Sequence, residues 1–381
     1  RPVGCRLANA WGWRDRLGNG MEWCEDNWHD NYKGAPADGT VWLSCVSERV
    51  LRGGCCVFGQ EVSRSAFRIS GSKGYEYMNC GFRLALDPTP DSPPEAATVI
   101  PCTQAPPTPT YLEPVASAQY APLSGLFAGS REAQDHQREW VAKGYPLEVK
   151  LKGTDIRLRL VPPGEFVMGS QRREDGRNDA ECPAHRVTIS KPFYMAVTEI
   201  TQAQWQKVMN SNPSHFSRDR CGTDTSDLPV ETVSWNDCQS FIEKLRGSSG
   251  ATGLRLPTEA EWEYACRAGT TAGRYGEPDA IAWYGGNSEK TTHPVSKKLA
   301  NAWGLHDMVG NVSEWCEDNC FSDYYGAPTD GRAWLGFESS RVLRGGNWCI
   351  NAESCHSASR EGSMPDRGDW CEGVRVALDL R

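Results

Sequence analysis

Cys349 and Cys355 lie six positions apart and are the first side chains in this sequence that could do chemistry. Two nearby thiolates can hold Cu(I), a soft ion that favours sulfur. The surrounding stretch, residues 347–372, offers a second kind of chemistry. It holds Asn347, Trp348, Ile350, Asn351, His356, Met364, Arg367, Asp369 and Trp370. Trp and Arg are the side chains that most often anchor a bound partner, with short polar residues around them. Metal-bound thiols and a recognition face therefore compete for one segment. Elsewhere the signals are structural. His185, His293 and His306 are scattered, and a lone histidine is usually a satisfied or surface residue. No Cys-x-x-Cys or His-x-x-His spacing argues for zinc. No Ser-His-Asp order or glycine-rich phosphate loop stands out.

Two strands must position this segment. Arg341-Val342-Leu343-Arg344 ends at the pair Gly345-Gly346, and Gly373-Val374-Arg375-Val376-Ala377-Leu378 closes the chain. The whole arrangement occurs twice. Residues 1–87 align with 293–379 at a constant offset of 292 without a gap, and about 32 of the first 54 pairs are identical. From Cys55/Asn347 to Cys80/Glu372 only about 4 of 26 pairs agree: Glu61/Glu353, Ser65/Ser357, Ala66/Ala358 and Arg68/Arg360. Agreement then returns. Neutral drift of a solvent loop would usually change its length as well. A segment of constant length whose side chains nearly all differ reads instead as a binding face pinned at both ends. The counterpart face in residues 55–80 carries Phe58, Phe67, Tyr75 and Tyr77.

Composition bounds the remaining choices. Lys and Arg number 41 against 49 Asp and Glu, a formal charge of −8. No basic run exists, so no nucleic-acid footprint is indicated. No apolar run is long enough for a membrane span, and no signal-peptide pattern follows Arg1, so the compartment is undetermined and the chain can begin inside a longer gene product. Sixteen cysteines are many, but only Cys24/Cys316 recurs between the copies. A disulfide framework should recur, so most read as free thiols.

Along the chain, residues 88–125 are rich in Pro, Ala, Thr and Ser and read as an extended linker, with a lead-in helix over 126–143. Residues 158–161 and 166–169 flank the turn Pro162-Pro163-Gly164-Glu165 and predict a hairpin. His185–Ile189 alternates as a strand. Thr201 with Gln204, Ser234, and Thr258 with Glu261 mark three helix starts. The tryptophans 205, 235, 262, 303 and 315 read as core. Residues 1–87 carry no capped helix to cover Val50, Leu51 and their other apolar residues, so this part is expected not to fold alone.

The ordered motifs resemble a known family. They are Gly164-Glu165-Phe166-Val167-Met168-Gly169, Arg255-Leu256-Pro257-Thr258-Glu259-Ala260-Glu261-Trp262, Gly304-Leu305-His306-Asp307-Met308-Val309-Gly310-Asn311-Val312-Ser313-Glu314-Trp315 and Arg344-Gly345-Gly346. They are similar to the formylglycine-generating enzyme/sulfatase-modifying factor family. The resemblance implies an α+β, loop-rich C-type-lectin-like domain over 146–381, after a partial second copy (1–87) and a linker with its helix (88–145). That family includes a copper-dependent oxidase that converts a sulfatase cysteine to formylglycine. It also includes the variable proteins of diversity-generating retroelements, which display a diversified C-terminal surface. The oxidase pattern after the glycine pair places its first thiol one residue later than Cys349 and spaces the two thiols one residue closer. The first copy has nothing at the place of Cys355. The favoured expectation is therefore a non-enzymatic ligand-binding protein, its partner an unknown protein or cell-surface ligand and its oligomeric state open. The alternatives are the oxidase, with Cys349 and Cys355 on copper, and a non-catalytic accessory domain. The resemblance also maps Asp307, backbone oxygens of Gly310 and Val312, and Glu314 onto a calcium site, with Asp15, Gly18, Gly20 and Glu22 repeating it; hard oxygen donors at a tight glycine turn suit Ca²⁺. A hairpin whose carboxylates bond backbone amides explains the same residues.

Overall fold

The computed structural model describes residues 21–27, 48–52, 68–72, 80–81, 107–170, 176–336 and 338–380. The chain divides into two compact units, 1–99 and 100–381. In the first, β1 (Met21–Asn27), β2 (Glu48–Arg52), β3 (Arg68–Ser72) and β4 (Cys80–Gly81) form one sheet in the order β3-β2-β1-β4, and Val50 and Leu51 are buried. The aromatic residues of the 55–80 loop and Asp15, Gly18 and Gly20 lie outside the described residues.

The second unit is built on a six-stranded sheet. Its strands are β5 (Leu112–Pro114), β6 (Glu148–Leu151), β7 (Arg157–Val161), β10 (Phe193–Ala196), β11 (Leu254–Arg255) and β16 (Ala377–Asp379), in the order β11-β16-β10-β7-β6-β5. A two-stranded sheet pairs β8 (Gly164–Met168) with β9 (His185–Ile189). A four-stranded sheet contains β12 (Ser313–Asn319), β13 (Arg341–Arg344), β14 (Arg360–Ser363) and β15 (Glu372–Gly373), in the order β14-β13-β12-β15. Its registers, Glu314 opposite Arg344 and Trp315 opposite Leu343, match those of the first unit, Glu22 opposite Arg52 and Trp23 opposite Leu51, at the same offset of 292.

The helices are α1 (Ser130–Ala142), α2 (Gln202–Met209), α3 (Arg218–Cys221), α4 (Trp235–Ser249), α5 (Glu259–Arg267) and α6 (Pro278–Ile281). Capping boxes at Thr201, Ser234 and Thr258 start α2, α4 and α5 as the sequence predicts. Each box satisfies two backbone N–H groups that a helix start otherwise leaves without partners. Trp205 stacks on Phe241 with ring centroids 4.8 Å apart, and this layer packs with the apolar side chains of the large sheet. Trp262 and Trp303 belong to a second cluster with Met308 and Val309. Trp205, Trp262, Trp303 and Trp315 are buried as expected, while Trp235 is half-buried, its indole donating to the Cys316 carbonyl at 3.0 Å.

Three expectations are corrected. The predicted hairpin does not form. Leu158, Leu160 and Val161 are fully buried, and both edges of β7 are taken by β6 and β10, so β8 pairs elsewhere. The linker expected over 88–125 gives way to a strand at 112–114, while the lead-in helix expected over 126–143 is present as α1. β5 pairs with β6, and Gln137 of α1 donates to the Leu160 carbonyl at 2.7 Å, tying 112–142 into the domain. The final strand is broken between 373 and 377, where the Arg375 side chain turns inward to Glu314.

Candidate functional site

Residues 347–372 start at a forced turn. Gly345 and Gly346 have φ of +94° and +70°, and a Cβ on Gly345 would sit 3.0 Å from the Trp262 ring. L side chains rarely adopt this backbone conformation. The chain then loops over 347–359, returns as β14 against β13, loops again over 364–371 and ends in β15, parallel to β12. The expected surface segment is thus two loops joined by a strand.

The residues that agree between the two copies are mostly frame. Ser357, Ala358 and Arg360 are buried. The Arg360 guanidinium donates to both Glu259 oxygens, at 2.6 and 3.1 Å, and to the Ala180 and Phe321 carbonyls. Neighbouring Arg344 pairs with Glu263. These cations hold the Glu259 carboxyl below its usual range against the opposing effect of burial. Of the eleven exposed positions in the segment, ten differ between the copies.

The nominated binding residues divide accordingly. Met364 and Trp370 are 40% and 47% exposed, Cys349, Asn351, Arg367 and Asp369 are exposed, and Ile350 is half-buried. Three others are corrected. Asn347 is buried and donates to Ser313 Oγ at 3.1 Å. Its amide oxygen accepts from the Cys349 amide at 3.1 Å and from the Cys349 thiol at 3.0 Å. Trp348 is only 8% exposed, because its indole donates to the Trp370 carbonyl at 3.1 Å and its ring meets Phe216 edge-on at 5.4 Å. His356 is buried with Nε2 3.1 Å from Glu181, whose carboxyl also accepts from Ser170. His356 and Ser170 favour the charged Glu181, which lies below its usual range even though burial opposes this.

The loop before α3 adds residues that sequence reasoning missed. His215 packs edge-on against Trp370 at 5.1 Å, and Arg220 reaches the His215 ring at 2.6 Å. Buried Glu231 fixes this loop by accepting the His215 and Phe216 amides at 2.9 and 2.8 Å. Nothing in the local spacing of Asn212-Pro213-Ser214-His215-Phe216 points to a segment more than 130 positions away; only the contact does.

The thiol pair proposed for copper is split between surface and interior. The thiol of exposed Cys349 donates to Asn347 Oδ1 at 3.0 Å. Cys355 is fully buried, lies 3.8 Å from the Asn347 carbonyl and is pushed up to about 12 by burial. Burial favours a protonated thiol, whereas a metal takes the thiolate, so an ion shared by these two residues would have to displace the Cys355 proton against the effect of burial.

Of the residues nominated for calcium, Glu314 is already engaged by a cation. Both Glu314 oxygens are engaged by Arg375, at 2.7 to 3.0 Å, and one also accepts the Trp262 indole at 2.7 Å. Asp307 accepts the Ser296 amide at 2.7 Å, leaving one buried oxygen without a partner. The Gly310 and Val312 amides, as distinct from the nominated backbone oxygens, donate to the Gly345 carbonyl and to Glu199. Among the described residues no group of three or more His, Cys, Asp or Glu is placed to hold a metal. Arg375 supplies the positive charge at this turn. Glu199, a further buried carboxylate that the sequence did not flag, also accepts from Asn311 at 2.9 Å. Burial together with the Asp307 and Glu314 charges raises its carboxyl well above the usual range.

The chain is 28% identical over 293 residues to the formylglycine-generating enzyme of Streptomyces coelicolor, covering 60% of this chain and 90% of that protein. Variable protein 1 of Treponema denticola superimposes with a TM-score of 0.56 at 27% identity, over 62% of this chain and all of the other (100%). PvdO from Pseudomonas aeruginosa gives 0.53 at 30% identity, over 59% of this chain and 94% of that one. No helix among the described residues is long and apolar enough to cross a membrane. The sulfatase-modifying factor enzyme 1-like domain model matches residues 1–88 and 152–380, so the chain belongs to that family and has its α+β, loop-rich C-type-lectin-like fold.

Proposed function

We propose that this chain is a ligand-binding protein whose segment 347–372 is a diversified surface carried on a fixed lectin-like scaffold. One observation carries the reading: within the segment the differing side chains supply ten of eleven exposed positions, while Ser357, Ala358 and Arg360 are shared and buried. Drift under selection for folding alone would spare buried positions and change the length, yet buried Asn347, Trp348, Cys355, His356 and Glu372 also differ between the copies while the length stays constant. The likeness to a solved variable protein supports the same reading. The oxidase alternative is weakened by the divergent surroundings of Cys349 and Cys355.

The test transplants the other copy's surface. Ile350→Phe, Met364→Ser, Arg367→Tyr, Asp369→Tyr and Trp370→Met together introduce the residues found at the matching places of the first copy. Folding stability should fall by no more than about 2 kcal/mol, since surface changes are individually small. Binding across a panel of glycans and cell-surface proteins should change. An unchanged binding profile on a folded variant refutes the reading. The coding DNA provides an independent check, because active diversification predicts a near-identical template repeat that differs mainly at adenines.

A further inference from the structure

The paired thiols of the displayed segment are Cys349 and Cys371. The Trp348 amide donates to the Asn311 carbonyl at 2.9 Å, and the Ser313 amide donates to the Cys371 carbonyl at 2.8 Å. Both ends of the segment are therefore tied to one turn, 311–313. The Trp348 indole adds a direct bond to the Trp370 carbonyl at 3.1 Å. Cys349 and Cys371 each follow one of these two tryptophans, so the same contacts bring the two cysteines next to one another. Both are free, one exposed and one half-buried. The first copy has Val57 and Asn79 at the matching places, so the pair belongs to this copy alone. Carboxylates stand near the pair: Asp369 and Glu372 lie within two positions of Cys371, and Glu361 accepts from the hydroxyl of Ser313, whose amide bonds the Cys371 carbonyl.

We propose that Cys349 and Cys371 are a thiol–disulfide exchange site that accepts small-molecule disulfides, cationic ones faster than anionic ones, and closes residues 350–370 into a covalent loop. The Cys349 thiolate attacks one sulfur of the incoming disulfide and expels the other half as a thiolate, leaving a mixed disulfide. The Cys371 thiolate then attacks the Cys349 sulfur, forming the Cys349–Cys371 bond and expelling the second half. Two protein thiols are oxidised, one external disulfide is reduced to two thiols, and the two protein protons pass to the departing thiolates. Burial and the adjacent carboxylates keep both thiols above their ordinary range, so exchange accelerates as pH rises. The same carboxylates repel an anionic reagent and attract a cationic one, an effect that salt screens. The proposal does not depend on the ligand-binding reading, because it is read out without a ligand.

The experiment treats the reduced full chain at about pH 8 and low salt with cystamine and, separately, with oxidised glutathione, followed by an acid quench and non-reducing peptide mapping. The expected product is a peptide pair joined through Cys349 and Cys371, formed several-fold faster with cystamine, with the difference collapsing at about 1 M salt. Cys371→Asn, which carries the residue of the other copy, should leave Cys349 as a lasting mixed disulfide. If that variant does not fold, the wild-type map decides alone. A wild-type map showing Cys349 joined to Cys355, or Cys349 capped while Cys371 remains alkylatable, overturns the site. Equal rates for the two reagents at low salt overturn the substrate preference.

Discussion

Arg360→Ala tests the division between frame and face most sharply. The Arg360 side chain is fully buried (0% exposed) and Glu259 opposite it is 2% exposed. Truncation removes two charge-assisted bonds to Glu259 and two to backbone carbonyls. It leaves the Glu259 carboxylate with the Tyr324 hydroxyl at 2.8 Å and Arg344 at 3.6 Å. Breaking a buried pair from one side costs about 3–5 kcal/mol, because the stranded charge is not resolvated. For a unit of this size that lowers Tm by roughly 10 °C. Trp370→Ala, on a side chain 47% exposed, should cost about 1 kcal/mol. Urea unfolding of the full chain measures both. Adding Glu259→Gln to Arg360→Ala removes the stranded charge and should recover part of the loss. The reasoning fails if Arg360→Ala costs under about 1 kcal/mol, if Trp370→Ala costs more than Arg360→Ala, or if the double variant shows no recovery.

Three further outcomes are expected. Burial, with Glu259 nearby, raises the Asp318 carboxyl to about 7. A carboxyl raised in the folded state binds more protons folded than unfolded, so its contribution to stability falls as pH rises from about 4 to 7 and is fully present only below that window; urea midpoints should show this slope, and Asp318→Asn should flatten it. Gly345→Ala, at φ +94° with Trp262 and Met308 about 3 Å from a new Cβ, should cost about 2 kcal/mol or more, whereas Gly326→Ala, also at positive φ but in open space, should cost about 1 kcal/mol; thermal melts compare them. Peptide aldehyde should not form when Cu(I) is supplied, and turnover abolished by both Cys349→Ser and Cys355→Ser would show that the thiols do act together.

Much of this protein is legible in sequence because its determinants are local. Thr201, Ser234 and Thr258 start their helices through bonds to residues three positions on. The constant 292-residue offset marks two stretches that share strand order and register, because pairing follows the apolar pattern carried within each strand. The Gly345-Gly346 turn and the divergent segment after it are visible in one line of residues. What the sequence left open depends on partners distant in the chain. Trp348 was expected at the surface until Phe216 and the Trp370 carbonyl covered it. Glu314 was nominated for calcium until Arg375, 61 positions away, occupied its carboxylate. Cys349 was paired with Cys355 by proximity in sequence, but the bond between Trp348 and the Trp370 carbonyl brings it next to Cys371. A residue's type states which bonds it can make; which of them it makes depends on the groups that folding brings within about 3 Å, and that distance is set by tertiary structure.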